Sequence, residues 1–186
     1  MDNFDEHRTI ENPVIGDRVT FVKTASETDG EYELVRVVLQ PGGGTPLHYH
    51  TAFSERFEVE EGQLRIDCDG VTHMLLPGDS AVAPIGSIHR FCNDSEKPVI
   101  FLTTVRPARY FEYFLRLSYG LARDGKVRSS GIPKSLWHAG VFFRWGETYM
   151  PNVPLAVQKA IFGTLYRMAR MLNVEKKLMK AYLNGY

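Results

Sequence analysis

Two stretches decide the reading of this chain: residues 42–62, GGGTPLHYHTAFSERFEVEEG, and residues 78–93, GDSAVAPIGSIHRFCN. His48 and His50 are two apart, so on an extended segment both rings point to the same face, roughly 6 to 7 Å apart along the strand. One metal about 2 Å from each nitrogen bridges that gap. Glu55 returns after the short connection T-A-F-S, and Glu61-Gly62 supplies the next turn. The second stretch repeats the device. Leu76-Pro77-Gly78-Asp79 reads as a turn, Ser80 to Ala83 as a short strand, and Pro84-Ile85-Gly86 as a corner that delivers His89. Bringing a carboxylate and three imidazoles together from three strand segments needs a curved sheet. Such a donor set suits a divalent Fe, Mn, Ni, Co, Cu or Zn ion with coordination positions left for water or substrate.

The pattern Gly42, His48, His50, Glu55, Gly62 resembles the first motif of the cupin family, and Gly78, Pro84, Gly86, His89, Asn93 resembles its second. The segment between them, Gln63 to Pro77, is short, as in compact bacterial members. The resemblance covers roughly residues 30 to 105. It implies an all-β antiparallel double-stranded β-helix, a jelly-roll barrel, with His48, His50, Glu55 and His89 as metal ligands. The glycines, Pro84 and Asn93 would shape turns. Cupins include dioxygenases, isomerases, decarboxylases, sensors and storage proteins, so the resemblance leaves the reaction open.

Lys plus Arg and Asp plus Glu are 22 each, and no large basic block interrupts the chain. Nucleic acid is therefore not an expected partner. No charged leader precedes an apolar segment, and no run of 18 apolar residues occurs; the expectation is a cytoplasmic protein without membrane contact. Cys68 and Cys92 lack a C-x-x-C spacing and read as reduced thiols. His7, His73 and His138 read as ordinary packed or surface histidines.

The chain divides near Pro107. Residues 1–16, with Asp2, Asp5, Glu6 and Glu11, read as an N-terminal arm, 17–106 as the barrel domain, and 107–186 as a helical extension. Strands are expected over Arg18 to Lys23, Glu31 to Gln40, Leu64 to Cys68 and Val99 to Val105, with Asp69-Gly70 turning a hairpin into Val71 to Leu76. Beyond Pro107 the period lengthens. Tyr110, Phe114, Leu117 and Leu121 predict a helix over Ala108 to Ala122, stopped at Arg123-Asp124-Gly125. Leu136 to Trp145 fits a helix or a strand, with helix preferred. Asn152-Val153-Pro154 starts a further helix with the stripe Val157, Ile161, Leu165, Met168, Leu172, and Asn173 caps a shorter one. Trp137, Phe142, Phe143, Trp145, Phe162 and Tyr166 must be covered, by the barrel or by a second subunit; the tail either covers the barrel mouth and restricts substrate entry or builds a dimer, and a homodimer is the expectation.

A mostly apolar pocket drawn from Tyr32, Leu34, Arg36, Phe57, Val59, Ile66, Phe91 and Phe101 would suit a small aromatic or enolic compound. Arg36 and Arg90 read first as solvent-facing strand residues and second as partners for a carboxylate or phosphate. The preferred expectation is a metal-dependent oxidoreductase, a dioxygenase, with Glu55 both a ligand and a candidate proton acceptor. The alternatives are a metal-assisted isomerase or lyase acting on a sugar or keto acid, favoured if the pocket holds a polar base, and a non-catalytic binding or sensing module.

Overall fold

The computed structural model describes residues 6–183; Asp2 and Asp5 of the expected arm lie outside them. The strands run in the order β1 (Thr9–Asn12), β2 (Asp17–Lys23), β3 (Glu33–Leu39), β4 (Tyr49–His50), β5 (Ser54–Glu61), β6 (Leu64–Cys68), β7 (Val71–Leu75), β8 (Ser80–Ala83), β9 (His89–Cys92) and β10 (Val99–Arg106). Then follow α1 (Phe111–Arg123), α2 (Leu136–Gly146), β11 (Thr148–Tyr149), α3 (Leu155–Met171) and α4 (Val174–Tyr182).

The closed all-β jelly-roll barrel expected above is not what forms. Among the described residues the fold is mixed α/β, with three separate sheets of order β1-β2-β3-β10-β5-β8, β7-β6-β9 and β11-β4, plus four α-helices. The reason lies at the edges. β8 pairs only with β5, and β9 only with β6, while the link from the glycine-rich segment to β9 is reduced to isolated bridges, Gly44 to Cys92 and His48 to His89. β4 is two residues long and finds its partner in β11 of the tail rather than in a neighbouring barrel strand. Helices cover one open side instead of strands.

Strand alternation sets what faces inward. On β3 the buried residues are Glu33, Val35, Val37 and Leu39, so Leu34 and Arg36 fall on the half-buried outer face. Val35, Val37 and Leu39 join Phe21, Phe57, Val59, Leu64, Ile66, Val99 and Phe101 in one core. The Asp69-Gly70 turn has both residues at positive φ, 48° and 81°, as a two-residue hairpin of opposite hand requires, and it sets Cys68 against Val71.

The tail buries its aromatics in a second core. Phe142, Phe143, Trp145, Val141, Leu121 and Leu178 are buried there, with Trp137, Phe162 and Tyr166 packed against them. Phe143 and Phe162 stack at 3.8 Å between centroids. Gly140 permits this approach, since a Cβ there would lie 2.7 Å from the backbone of Leu165 and Tyr166. Leu136 to Trp145 is thus helical, within α2. Of the expected α3 stripe, Val157, Ile161, Met168 and Leu172 remain exposed in the single chain.

α1 joins the two cores. Phe111, Leu115 and Tyr119 pack into the strand core, and Leu117, Leu121 and Ala122 into the helical one. Its first turn is tied to the sheet by Glu33, whose Oε2 accepts from the Glu112 backbone N–H at 3.1 Å. That places a carboxyl group at a helix N-terminus, where N–H groups lack helical partners.

Candidate metal centre

The structure brings His48, His50, Glu55 and His89 together, with one ligand atom from each lying within 4.8 Å of the others. His50 ends β4, Glu55 lies in β5 and His89 opens β9, while His48 stands just before β4. Reciprocal backbone bonds hold His48 opposite His89: each N–H donates to the other's carbonyl, at 3.0 and 2.8 Å. Gly86 donates to the His50 carbonyl at 2.8 Å, so the Pro84–Ser87 corner anchors the same ligand strand.

The three imidazoles share one arrangement. Nδ1 of His48 bonds the Pro46 carbonyl at 2.8 Å, Nδ1 of His89 the Ser87 carbonyl at 3.0 Å, and Nδ1 of His50 the Glu147 carbonyl at 3.4 Å. A carbonyl can only accept, so each Nδ1 carries a proton; Nε2 of His48 and His50 keeps its lone pair for a metal, while Nε2 of His89 donates to the Glu55 carboxylate and would give up that proton on binding an ion. Nε2 of His50 is buried without a hydrogen-bond partner. A buried orphan of this kind costs about 1–3 kcal/mol unless something meets it. Glu55 Oε2 lies 2.9 Å from His89 Nε2 and 3.7 Å from His50 Nε2. The buried His, His and Glu with the half-buried His48 therefore form a cluster capable of coordinating a divalent metal ion.

Electrostatics favour neutral His48 and His50 beside an ion pair between His89 and the Glu55 carboxylate. Burial would raise the Glu55 carboxyl, but the His89 hydrogen bond and the three neighbouring rings outweigh it and hold it at about 2. Burial lowers His48, and it takes His50 down to about 3. Burial pulls His89 down too, yet the Glu55 carboxylate more than compensates and raises it. Two of the three imidazoles thus have no proton to lose before binding a cation.

A cavity of about 690 Å³ opens on His48, His50 and Glu55. Its walls include Phe91 from β9, Phe111, Phe114 and Tyr119 from α1, Phe142 and Phe143 from α2, and Tyr149 from β11. Of the pocket residues expected from sequence, only Phe91 borders it; Phe57, Val59, Ile66 and Phe101 are core. A tail covering the mouth is one of the two expectations, but the helical aromatics are not among the expected pocket walls, and their only sequence signal is the aromatic density of the tail.

Asp17 and Tyr119 also border the cavity, and sequence reasoning missed both. Tyr119 donates its hydroxyl to Asp17 Oδ2 at 2.5 Å, while Oδ1 is buried without a partner. Burial pushes the Asp17 carboxyl up to about 7, against a smaller lowering by Tyr119.

The remaining candidates lie elsewhere. Arg36 pairs with Glu60 at 2.6 Å and Arg90 with Asp67 at 2.7 Å, although Arg90 also borders the cavity. Asn93 is fully buried and shapes a turn, its amide donating to the Leu39 and Lys97 carbonyls at 3.1 and 2.8 Å. His7, His73 and His138 are not part of the cluster. No helix among the described residues is long and apolar enough to cross a membrane.

The model of the cupin domain matches residues 35–105. A probable oxidoreductase of Aspergillus clavatus is 30% identical over 96 residues, which cover 48% of this chain and 30% of that protein. Quercetin 2,3-dioxygenase of Bacillus subtilis is 28% identical over 97 residues, covering 52% of this chain and 29% of that protein. The chain therefore spans about a third of the length of these two relatives. Among solved structures, a sugar phosphate isomerase of the cupin superfamily from Silicibacter pomeroyi is 28% identical, with a TM-score of 0.44 over 50% of this chain and 61% of that one. With its two motif stretches, its clustered histidines and carboxylate, and the matched segment, this chain contains a cupin domain and carries additional C-terminal helices beyond the core cupin fold.

Proposed function

We propose that the chain is a metal-dependent isomerase or lyase acting on a small carbonyl compound of the keto acid kind. The observation that carries this reading is the Asp17 carboxyl, which borders the same cavity as the ligand cluster and is pushed up to about 7. A general acid–base group works best when its pKa lies near the working pH.

His48, His50, Glu55 and His89 would hold the ion, with Fe, Mn, Co, Ni, Cu and Zn all compatible with the donors. A divalent cation bound there supplies a Lewis acid for a carbonyl oxygen. Asp17, when ionised, takes the proton from the carbon next to the carbonyl and in its protonated form returns it to that carbon; where that carbon also bears a hydroxyl, whose proton passes to the former carbonyl oxygen, return to the former carbonyl carbon instead completes the isomerisation. Nothing is oxidised or reduced, so no co-reactant is required. The Tyr119 hydroxyl stabilises the ionised form. Glu55, held at about 2, is a weak proton acceptor near neutral pH, so its role in this reading is that of a ligand. Phe111, Phe114, Phe142 and Phe143 keep water from the reacting carbon and favour a compact, largely apolar keto acid over a sugar.

The test is proton exchange. In D2O, the metal-loaded protein should exchange the α-protons of 2-oxobutyrate, followed by NMR, and Asp17→Asn should lose at least about tenfold of that rate. A second reading, dioxygenase, is favoured by the aromatic walls and by the similarity to a quercetin dioxygenase. Oxygen uptake with flavonols or diketones, without α-proton exchange, would replace the first reading by the second. Stoichiometric metal with neither activity would leave a binding module.

A further inference from the structure

Two of the three imidazoles at the metal centre are oriented locally. Pro46 and Ser87, each two residues before its histidine, supply the carbonyls for His48 and His89. His50 differs, because its acceptor is the carbonyl of Glu147, 97 residues away at the end of α2. Glu147 is a non-glycine residue at positive φ, 43°, where the chain leaves the helix and turns into β11. That strand places Thr148 opposite His50 and Tyr149 opposite Tyr49.

The side chain of Glu147 is spoken for as well. Arg109 donates to both of its carboxylate oxygens, from Nε at 2.9 Å and from Nη2 at 3.0 Å. A planar guanidinium gripping a carboxylate at two points fixes orientation as well as distance. Arg109 is itself at positive φ, 55°, two residues before α1 begins. The pair thus joins the root of α1 to the end of α2 at the residue whose carbonyl meets His50. Part of the strained backbone of both residues is explained if this junction must hold one geometry.

We propose that Arg109 and Glu147 are a positioning pair for the metal centre, fixing the Glu147 carbonyl and β11 against His50 and so setting metal affinity and ring orientation. The C-terminal helices are then a working part of the site rather than an appendage. This rests on the reading of the histidine–glutamate cluster as a metal site. Partners around a ligand's second nitrogen typically change metal affinity about 10–100-fold when lost.

The experiment uses the full chain and Co(II) as probe, reading affinity by chelator competition and coordination by the visible d–d bands. Arg109→Gln and Glu147→Gln should each weaken Co(II) binding about tenfold and shift the bands, and Arg109→Lys should restore part of the affinity by keeping the charge without the fork. Thermal melts of the metal-free proteins separate this from a plain helix tie. Variants that melt earlier yet hold Co(II) with unchanged affinity and spectrum would overturn the proposal, because the pair would then only fasten α1 to α2. Failure of the unaltered protein to take up Co(II) would overturn the metal reading itself, a result distinct from any effect of Arg109.

Discussion

Replacing Asp17 by asparagine should change how stability depends on pH, by an amount the structure bounds. The unfolded carboxyl titrates near 3.8 and the folded one near 7. A raised acid holds its proton longer in the folded state, so its contribution to stability is greatest below 3.8 and is lost as pH climbs through 7. About 3 units at about 1.4 kcal/mol each set a ceiling of about 4 kcal/mol. The asparagine side chain has the same shape and can accept from Tyr119, but it does not ionise. The variant's stability relative to the parent should therefore rise by about 2–4 kcal/mol between about pH 4.5 and about pH 8.5. Glu33, pushed up to about 8 chiefly by burial, titrates in both proteins and cancels in the difference. Urea unfolding followed by far-UV circular dichroism across this pH range measures the quantity directly. A difference that stays flat would refute the buried, proton-holding state of Asp17, and with it the pocket base of the proposed function.

Gly140→Ala should lower the melting temperature by about 2–8 °C. The gain of about 1 kcal/mol in helix propensity is outweighed by forcing α2 off α3 at a 2.7 Å contact; calorimetry giving a higher melting point would contradict that contact. Saturating Zn(II) or Co(II) should raise the melting point of the parent by several degrees and that of His50→Ala hardly at all, since only the folded cluster binds the ion. Asn93→Ala should cost about 2–3 kcal/mol by leaving the Leu39 and Lys97 carbonyls without their donor, yet leave the Co(II) bands of the folded protein unchanged.

The donor set was legible because its signal is local. Two histidines in alternation, a carboxylate after a short turn and a third histidine after a Pro–Gly corner specify faces and turns, and those are short-range properties. The Asp69-Gly70 hairpin was legible for the same reason. Closure of the sheet was not, because alternation states which face is buried and not which edge finds which partner. β4 has only Tyr49 and His50, and the strand that pairs with it, Thr148–Tyr149, comes from beyond two helices. Asp17 falls in neither motif stretch. Its hydrogen-bond partner is Tyr119, 102 residues away, a contact that no local pattern announces.

The long reach from His50 to Glu147 also has a consequence for biogenesis. During synthesis the two locally oriented imidazoles, His48 and His89, have their acceptors as soon as the second motif stretch has emerged, whereas His50 waits for the end of α2. The hydrogen-bonded geometry of the cluster is therefore complete only once the distal part of the chain has been made and β11 has paired with β4.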